Sequence, residues 1–215
     1  RSAKGINVPG LTSRAALVTE RDEELLTFAK DQGLDFVGIS FAESAEHIQA
    51  VREAIEQASP RIVSKVEHQR ALERLEDILG ASDAIMVDRG DLSVETGLPQ
   101  VAILQKRILA AARRAGRPAI VATEMLHSMI DSAIPTKAEV SDITNAVLDG
   151  AAALMLSGET AVGRFPAQAV STMRAIADAA ARELQAGLDD AIGPVTSSVP
   201  QAMEDAIALI CRRLP

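Results

Sequence analysis

The chain has 215 residues, a formal net charge of −8, 47% hydrophobic and 24% charged residues, four Phe and neither Trp nor Tyr. That length buries a sizeable core and suits one domain with a small appendage. The acidic balance and the scarcity of stacking rings exclude nucleic acid or an anionic membrane surface as the main partner. A single cysteine, Cys211, excludes an internal disulfide and fits a reducing, cytoplasmic setting. No apolar run approaches the ~20 residues of a membrane span, and RSAKGINVPG lacks the apolar core of a signal peptide.

Residues 1–18 read as loop, broken by Gly5, Pro9 and Gly10. Thr19 with Asp22 forms a capping box that opens a helix to about Gln32, with Leu25, Leu26, Phe28 and Ala29 inward. DFVGIS (35–40) is a strand. A helix from Ala45 to about Ala58 places Ile48, Val51 and Ile55 on one stripe. The next strand, about 61–66, ends at Lys65 and Glu67. Leu72, Leu75, Ile78 and Leu79 have helical spacing, closed by Gly80, and lead to a strand over about 83–88 that delivers Arg89, Gly90 and Asp91. A helix from Gln100 to Ala115 is terminated by Gly116, with Val101, Ile103, Leu104, Ile108 and Leu109 available to the core. PAIVAT (118–123) is a fourth strand. A loop with short helical pieces follows, then a helix over 139–149, a fifth strand at 152–157, a glycine-punctuated loop, and an alanine-rich helix from Pro166 to about Ala186. Residues 187–198 read as linker, and 199–215 as one more helix opening a second domain.

Five βα units with buried parallel strands imply either an open doubly wound sheet or five-eighths of a (β/α)₈ barrel, and spacing alone leaves both open. Either way the strand ends converge on one face, where such folds bind ligands. The residues there are Ser40, Lys65, Glu67, Asp91, Thr123, Ser157 and Glu159. Two carboxylates beside an ammonium suit a hard divalent cation and a phosphoryl group. Gly90 permits close backbone approach, and the Gly90 and Asp91 amides could receive a carboxylate. The three histidines lack zinc-ligand spacing, and Lys106, Arg107, Arg113, Arg114 and Arg117 read as a solvated helix face.

Several blocks are specific enough to suggest a family: GINVPG (5–10), DFVGISF (35–41), IVSKVE (62–67), IMVDRGDLSVE (85–95), VATEMLHSMI (121–130), PTKAEVSDITNAVLDGA (135–151) and LMLSGETAVGRFP (154–166). Together they resemble pyruvate kinase from Gly5 to about Glu183. The resemblance implies the α/β fold of the last five βα units of a TIM (β/α)₈ barrel over 1–186, followed by the linker and the start of a C-terminal domain. It implies that Lys65 stabilises the phosphoryl group in flight and that Glu67 and Asp91 ligate Mg²⁺ or Mn²⁺. The Gly90 and Asp91 amides would bind the carboxylate of phosphoenolpyruvate, with Thr123 beside it. Thr123, Ser157 and Glu159 would flank the enolate carbon where it is protonated. ADP/ATP as the other substrate pair, a K⁺ site outside these residues, and a homo-oligomer (a tetramer in the family) are implied too. The chain is expected to be a fragment, or the ordered part, of such an enzyme, and weakly active or inactive by itself.

The sequence also departs from that pattern. Asp88 and Ser93 stand where the family's ARGDLG has Ala and Gly, Glu124 replaces the Gln of ATQML, and Glu43 and Lys137 replace arginines. Extra carboxylates near a phosphoryl site, with Glu124 near the metal, would repel substrate unless they face away. A metal-dependent pyruvate-enolate aldolase or lyase, or a non-catalytic module, are the alternative readings.

Overall fold

The computed structural model describes residues 16–55 and 59–192. Five apolar runs form strands β1 (Phe36–Ile39), β2 (Arg61–Val66), β3 (Ala84–Asp88), β4 (Ala119–Ala122) and β5 (Ala153–Met155). All pairings are parallel, and the spatial order β1-β2-β3-β4-β5 follows the sequence without reversal. A doubly wound sheet reverses its strand order at a switch point. The uninterrupted order therefore selects the barrel arc over the open sheet. Lys65 lies opposite Met86, and Asp88 opposite Ala122, so the C-terminal ends of β2, β3 and β4 share one rim.

The core lies between this arc and the helices on its convex side. Ile62, Val66, Ile85, Val87 and Val121 from the strands are fully buried, as are Ile48, Ile78 and Ile108 from helices. Each such side chain contributes about 1.5–3 kcal/mol of transfer free energy. Helix α1 (Glu20–Asp31) starts with the expected box, Thr19 and Asp22 each bonding the other's backbone N–H. Only half of its expected inward set is covered: Leu26 and Ala29 are buried, while Leu25 and Phe28 are 49% and 58% exposed. The four positions span a wider arc than one helix face, and packing covers only its centre. Helix α2 (Ala45–Ile55) buries Ile48, Val51 and Ile55 as expected.

The connection from β2 to β3 is two helices, α3 (Gln69–Glu73) and α4 (Leu75–Ala81), separated at Arg74. Gly80 lies inside α4 and does not end it. The helix stops at Ser82, whose hydroxyl lies 2.6 Å from the Ile78 carbonyl oxygen and 2.7 Å from Ser64 Oγ. After β3 comes a helix the sequence reading omitted, α5 (Arg89–Thr96). Gly97, at φ +83°, turns the chain into α6 (Leu98–Arg114). Pro99 occupies the first turn of α6, where no N–H is required, so the helix begins before Gln100. Ile103 is 48% exposed, and the polar Gln105 is buried instead. The basic run bridges neighbouring helices. Lys106 pairs with Asp149 at 2.7 Å, Arg114 with Glu76 at 3.5 Å, and Arg117 donates to the Leu79 carbonyl.

A 3₁₀ turn, His127–Ile130, precedes α7 (Lys137–Leu148). Thr136 and Glu139 form a second capping box, so α7 starts before residue 139. Glu139 also accepts from Ser128 N at 2.7 Å, fastening the 3₁₀ turn to the head of the helix. The loop after β5 contains the short helix α8 (Gly158–Ala161). Helix α9 (Pro166–Ile192) continues past Ala186 into the stretch expected to be linker. The remainder of that stretch, the expected C-terminal helix with Cys211, and residues 1–15 lie outside the described residues. No described helix is long and apolar enough to cross a membrane.

Candidate active site

Strand β2 alternates inward and outward, and its end carries the charges past the apolar layer. The Lys65 ammonium contacts Glu67 Oε1, lies 3.2 Å from Asp88 Oδ2, and donates to Ser40 Oγ at 3.3 Å. Glu67 is fully buried, and its Oε2 accepts from the Phe41 N–H at 2.7 Å. Among the described residues its buried Oε1 has no hydrogen-bond partner of regular geometry besides its ion-pair contact with the Lys65 ammonium. Burial pushes the Lys65 pKa down, but Glu67 and then Asp88 outweigh it and hold the amine above its ordinary value. Burial pushes Glu67 up, opposed by Lys65 and the Phe41 N–H, while Asp88 adds to the rise.

Asp91 stands in the first turn of α5 and completes an acidic group. One oxygen each from Glu67, Asp88 and Asp91 lies within 4.8 Å of the others. An all-oxygen donor set of this kind suits a hard divalent cation such as Mg²⁺ or Mn²⁺. The buried Glu67 Oε1, without a hydrogen bond, is the atom such an ion would satisfy. Both carboxylates expected to ligate metal are therefore in one cluster, and Asp88 joins them. Glu124 does not: it is exposed and outside this group. Glu43 is turned to Arg70, at 3.5 Å.

Thr123 and Glu124 follow β4 with φ of +70° and +53°, two consecutive non-glycine residues in the left-handed region. Such conformations cost roughly 1–3 kcal/mol each and persist only where neighbours over-determine them. Arg89 does so. Its Nε and Nη2 donate to the Thr123 carbonyl at 3.1 and 2.6 Å, its Nη1 pairs with Asp142 at 2.6 Å, and Gln105 and Met125 complete its surroundings. Thr123 is thereby presented to α5, where its Oγ1 accepts the Gly90 N–H at 2.9 Å. One of the two amides expected to receive a substrate carboxylate is thus engaged by Thr123 itself. Ser93 Oγ donates to the Gly90 carbonyl at 2.7 Å, giving that departure from the family pattern a local role.

Ser157 and Glu159 sit after β5. Glu159 is buried, and its two oxygens accept from Leu126 N at 3.0 Å and Ser157 N at 2.9 Å. Burial alone would raise its pKa, yet backbone N–H groups of Glu159, Leu126 and Ser157 outweigh burial and hold the carboxyl below its ordinary value. It is an ionised tie between the loops after β4 and β5. No hydrogen bond or ion pair joins Ser157 or Glu159 to the Lys65 cluster among the described residues.

A parallel arc in unreversed strand order, with a lysine and three carboxylates on its C-terminal rim, marks part of a (β/α)₈ barrel. The chain belongs to the pyruvate kinase family: residues 1–170 match the family model for the pyruvate kinase barrel domain. Among curated relatives it is 49% identical to a pyruvate kinase of Mycobacterium intracellulare over 80% of this chain and 37% of that protein. It is 41% identical to pyruvate kinase 2 of Synechocystis over 99% of this chain and 36% of that one. A pyruvate kinase of Thermotoga maritima is 41% identical over 85% of this chain and 40% of its own length. The chain thus spans well under half the length of these relatives.

Proposed function

We propose that these residues form the cation- and lysine-bearing wall of a cytoplasmic pyruvate kinase, which moves the phosphoryl group of phosphoenolpyruvate to ADP and releases pyruvate and ATP. The observation that carries the reading is the Lys65 ammonium held against Glu67 and Asp88, with Asp91 closing an oxygen cluster on the same rim. Phosphoryl transfer needs little covalent help from a protein. It is mostly positioning and neutralisation of charge.

Lys65 supplies a fixed positive charge beside the group in flight, and its pairing with two carboxylates keeps it protonated at neutral pH. Glu67 and Asp91 would hold Mg²⁺ or Mn²⁺, which neutralises anionic substrate oxygens when bound. The Asp91 amide receives the substrate carboxylate, and the Gly90 amide joins it once Thr123 Oγ1 yields its hydrogen bond. The bond between phosphorus and the enolate oxygen breaks as one to the terminal ADP oxygen forms, and the enolate carbon then takes a proton. Thr123 and Ser157 are assigned to that face, with Glu159 fixing the Ser157 amide through its carboxylate. Family membership supports a homo-oligomer, a tetramer, as the working form.

The test is turnover of phosphoenolpyruvate and ADP by the intact protein and by Lys65→Met. Loss of one electrostatic stabiliser lowers kcat by roughly 10²–10³-fold or more while the melting curve stays in place. Near-normal turnover in the variant would sink the assignment. Metal-dependent release of pyruvate from a 2-keto-acid aldol, with no ADP turnover, would replace it with the lyase reading.

A further inference from the structure

Asp88 is the last residue of β3, and its side chain turns into the site although it is only 7% exposed. Burying a carboxylate is costly unless a charge or metal compensates it. Among the described residues the compensating charge in contact is Lys65, which Glu67 already engages. Two carboxylates thus share one ammonium with a third, Asp91, beside them, and the excess negative charge is what a divalent cation would cancel. Asp88 Oδ2 points to Lys65, which leaves Oδ1 as its second donor atom. A Cβ placed on Gly90 would stand 3.6 Å from Asp88 Oδ1 and 3.7 Å from Thr123 Oγ1, so Asp88 Oδ1 lies beside the first turn of α5 that carries Asp91.

From this geometry we infer that Asp88 is a third carboxylate ligand for the divalent cation, beside Glu67 and Asp91. The inference rests on the cation reading of the site given above. Each added carboxylate raises the affinity of an oxygen-ligand site for a hard cation. Asp88 therefore makes this site bind its ion more tightly than Glu67 and Asp91 could alone. It also leaves Lys65 shared between two carboxylates until the cation arrives and draws Asp88 away.

The experiment is Mn²⁺ binding to the intact protein by calorimetry, without substrate or nucleotide, for the parent, Asp88→Ala, Asp88→Asn and Glu67→Gln. The expected result is a roughly tenfold or greater rise in Kd for Asp88→Ala and a smaller rise for Asp88→Asn, which keeps one oxygen. A Kd in Asp88→Ala equal to the parent's, or lower, would overturn the inference and leave Asp88 as a counter-ion of Lys65. Glu67→Gln separates this failure from that of the underlying reading. If it binds Mn²⁺ as the parent does, the cation site itself is misplaced. Should Asp88→Ala lose its fold, the near-isosteric Asp88→Asn decides alone, and an unchanged Kd in it overturns the inference equally.

Discussion

Arg89 gives the most direct test of how the rim is held. Its side chain is 9% exposed, and Arg89→Ala removes two donors from the Thr123 carbonyl and the partner of Asp142. A part-buried carbonyl stripped of its donors costs about 1–3 kcal/mol. Asp142 is 37% exposed and is partly resolvated, so its share is nearer ~1 kcal/mol. The sum is about 3 kcal/mol. For a unit of this size that lowers Tm by roughly 6–12 °C. Arg89→Lys keeps the charge but not the fork that grips one oxygen with two N–H groups, and should lose about half as much. The local consequence is more telling than the global one. Thr123 and Glu124, freed from the guanidinium, relax out of the left-handed region, and Thr123 Oγ1 leaves the Gly90 amide. Amide hydrogen exchange over residues 89–92 should therefore accelerate in Arg89→Ala beyond the rise expected from its lower stability. If Tm moves by less than 2 °C and exchange at Gly90 is unchanged, Arg89 does not hold the rim and the reasoning fails.

Two further predictions concern stability. Glu159→Gln removes the charge that two N–H groups stabilise and should cost about 1–3 kcal/mol at pH 7. Because the folded pKa of Glu159 is depressed, its contribution is present above the ordinary carboxylate range and vanishes as pH falls through the folded value. The gap between parent and variant in chemical denaturation should accordingly close on acidification, and a gap that widens toward low pH contradicts the assignment. Thr136→Ala breaks the capping box at the head of α7 and should cost about 1 kcal/mol by the same measurement. An unchanged midpoint would mean that Glu139, through Ser128, holds that end unaided.

The strands were legible because each is an apolar run that stops at a charge, and parallel connection then forces the charges together. That was enough to bring Lys65, Glu67 and Asp91 to one site. The orientation of neighbouring carboxylates was not legible. Asp88 and Glu124 look alike in sequence, yet one caps a buried strand and turns in, while the other follows a left-handed residue and turns out. The helix at 89–96 was missed because RGDLSVET holds a glycine and three charges, a composition that suits loops. Its apolar anchor is a single buried residue, Leu92. Arg89 went unrecognised for the same reason. Its partners come from Thr123, Gln105 and Asp142, far apart in sequence, and only the fold brings them around it. One signal was available: an arginine directly after a buried strand has to find partners or water, and here there is no water-facing side for it to take.

The unreversed strand order has a kinetic consequence. Phe36 meets Arg61, Val63 meets Ala84, Ile85 meets Ala119 and Ile120 meets Ala153, so every ladder joins strands one βα unit apart in the chain. Among the described strands no pairing must wait for a distant segment, and each closure has a similar, modest entropic cost. The arc can therefore grow by accretion, each strand templated on its predecessor as the polypeptide leaves the ribosome. Strand β5 comes with the loop whose Glu159 reaches back to Leu126, so the step that docks β5 on β4 also ties together the two loops of the rim.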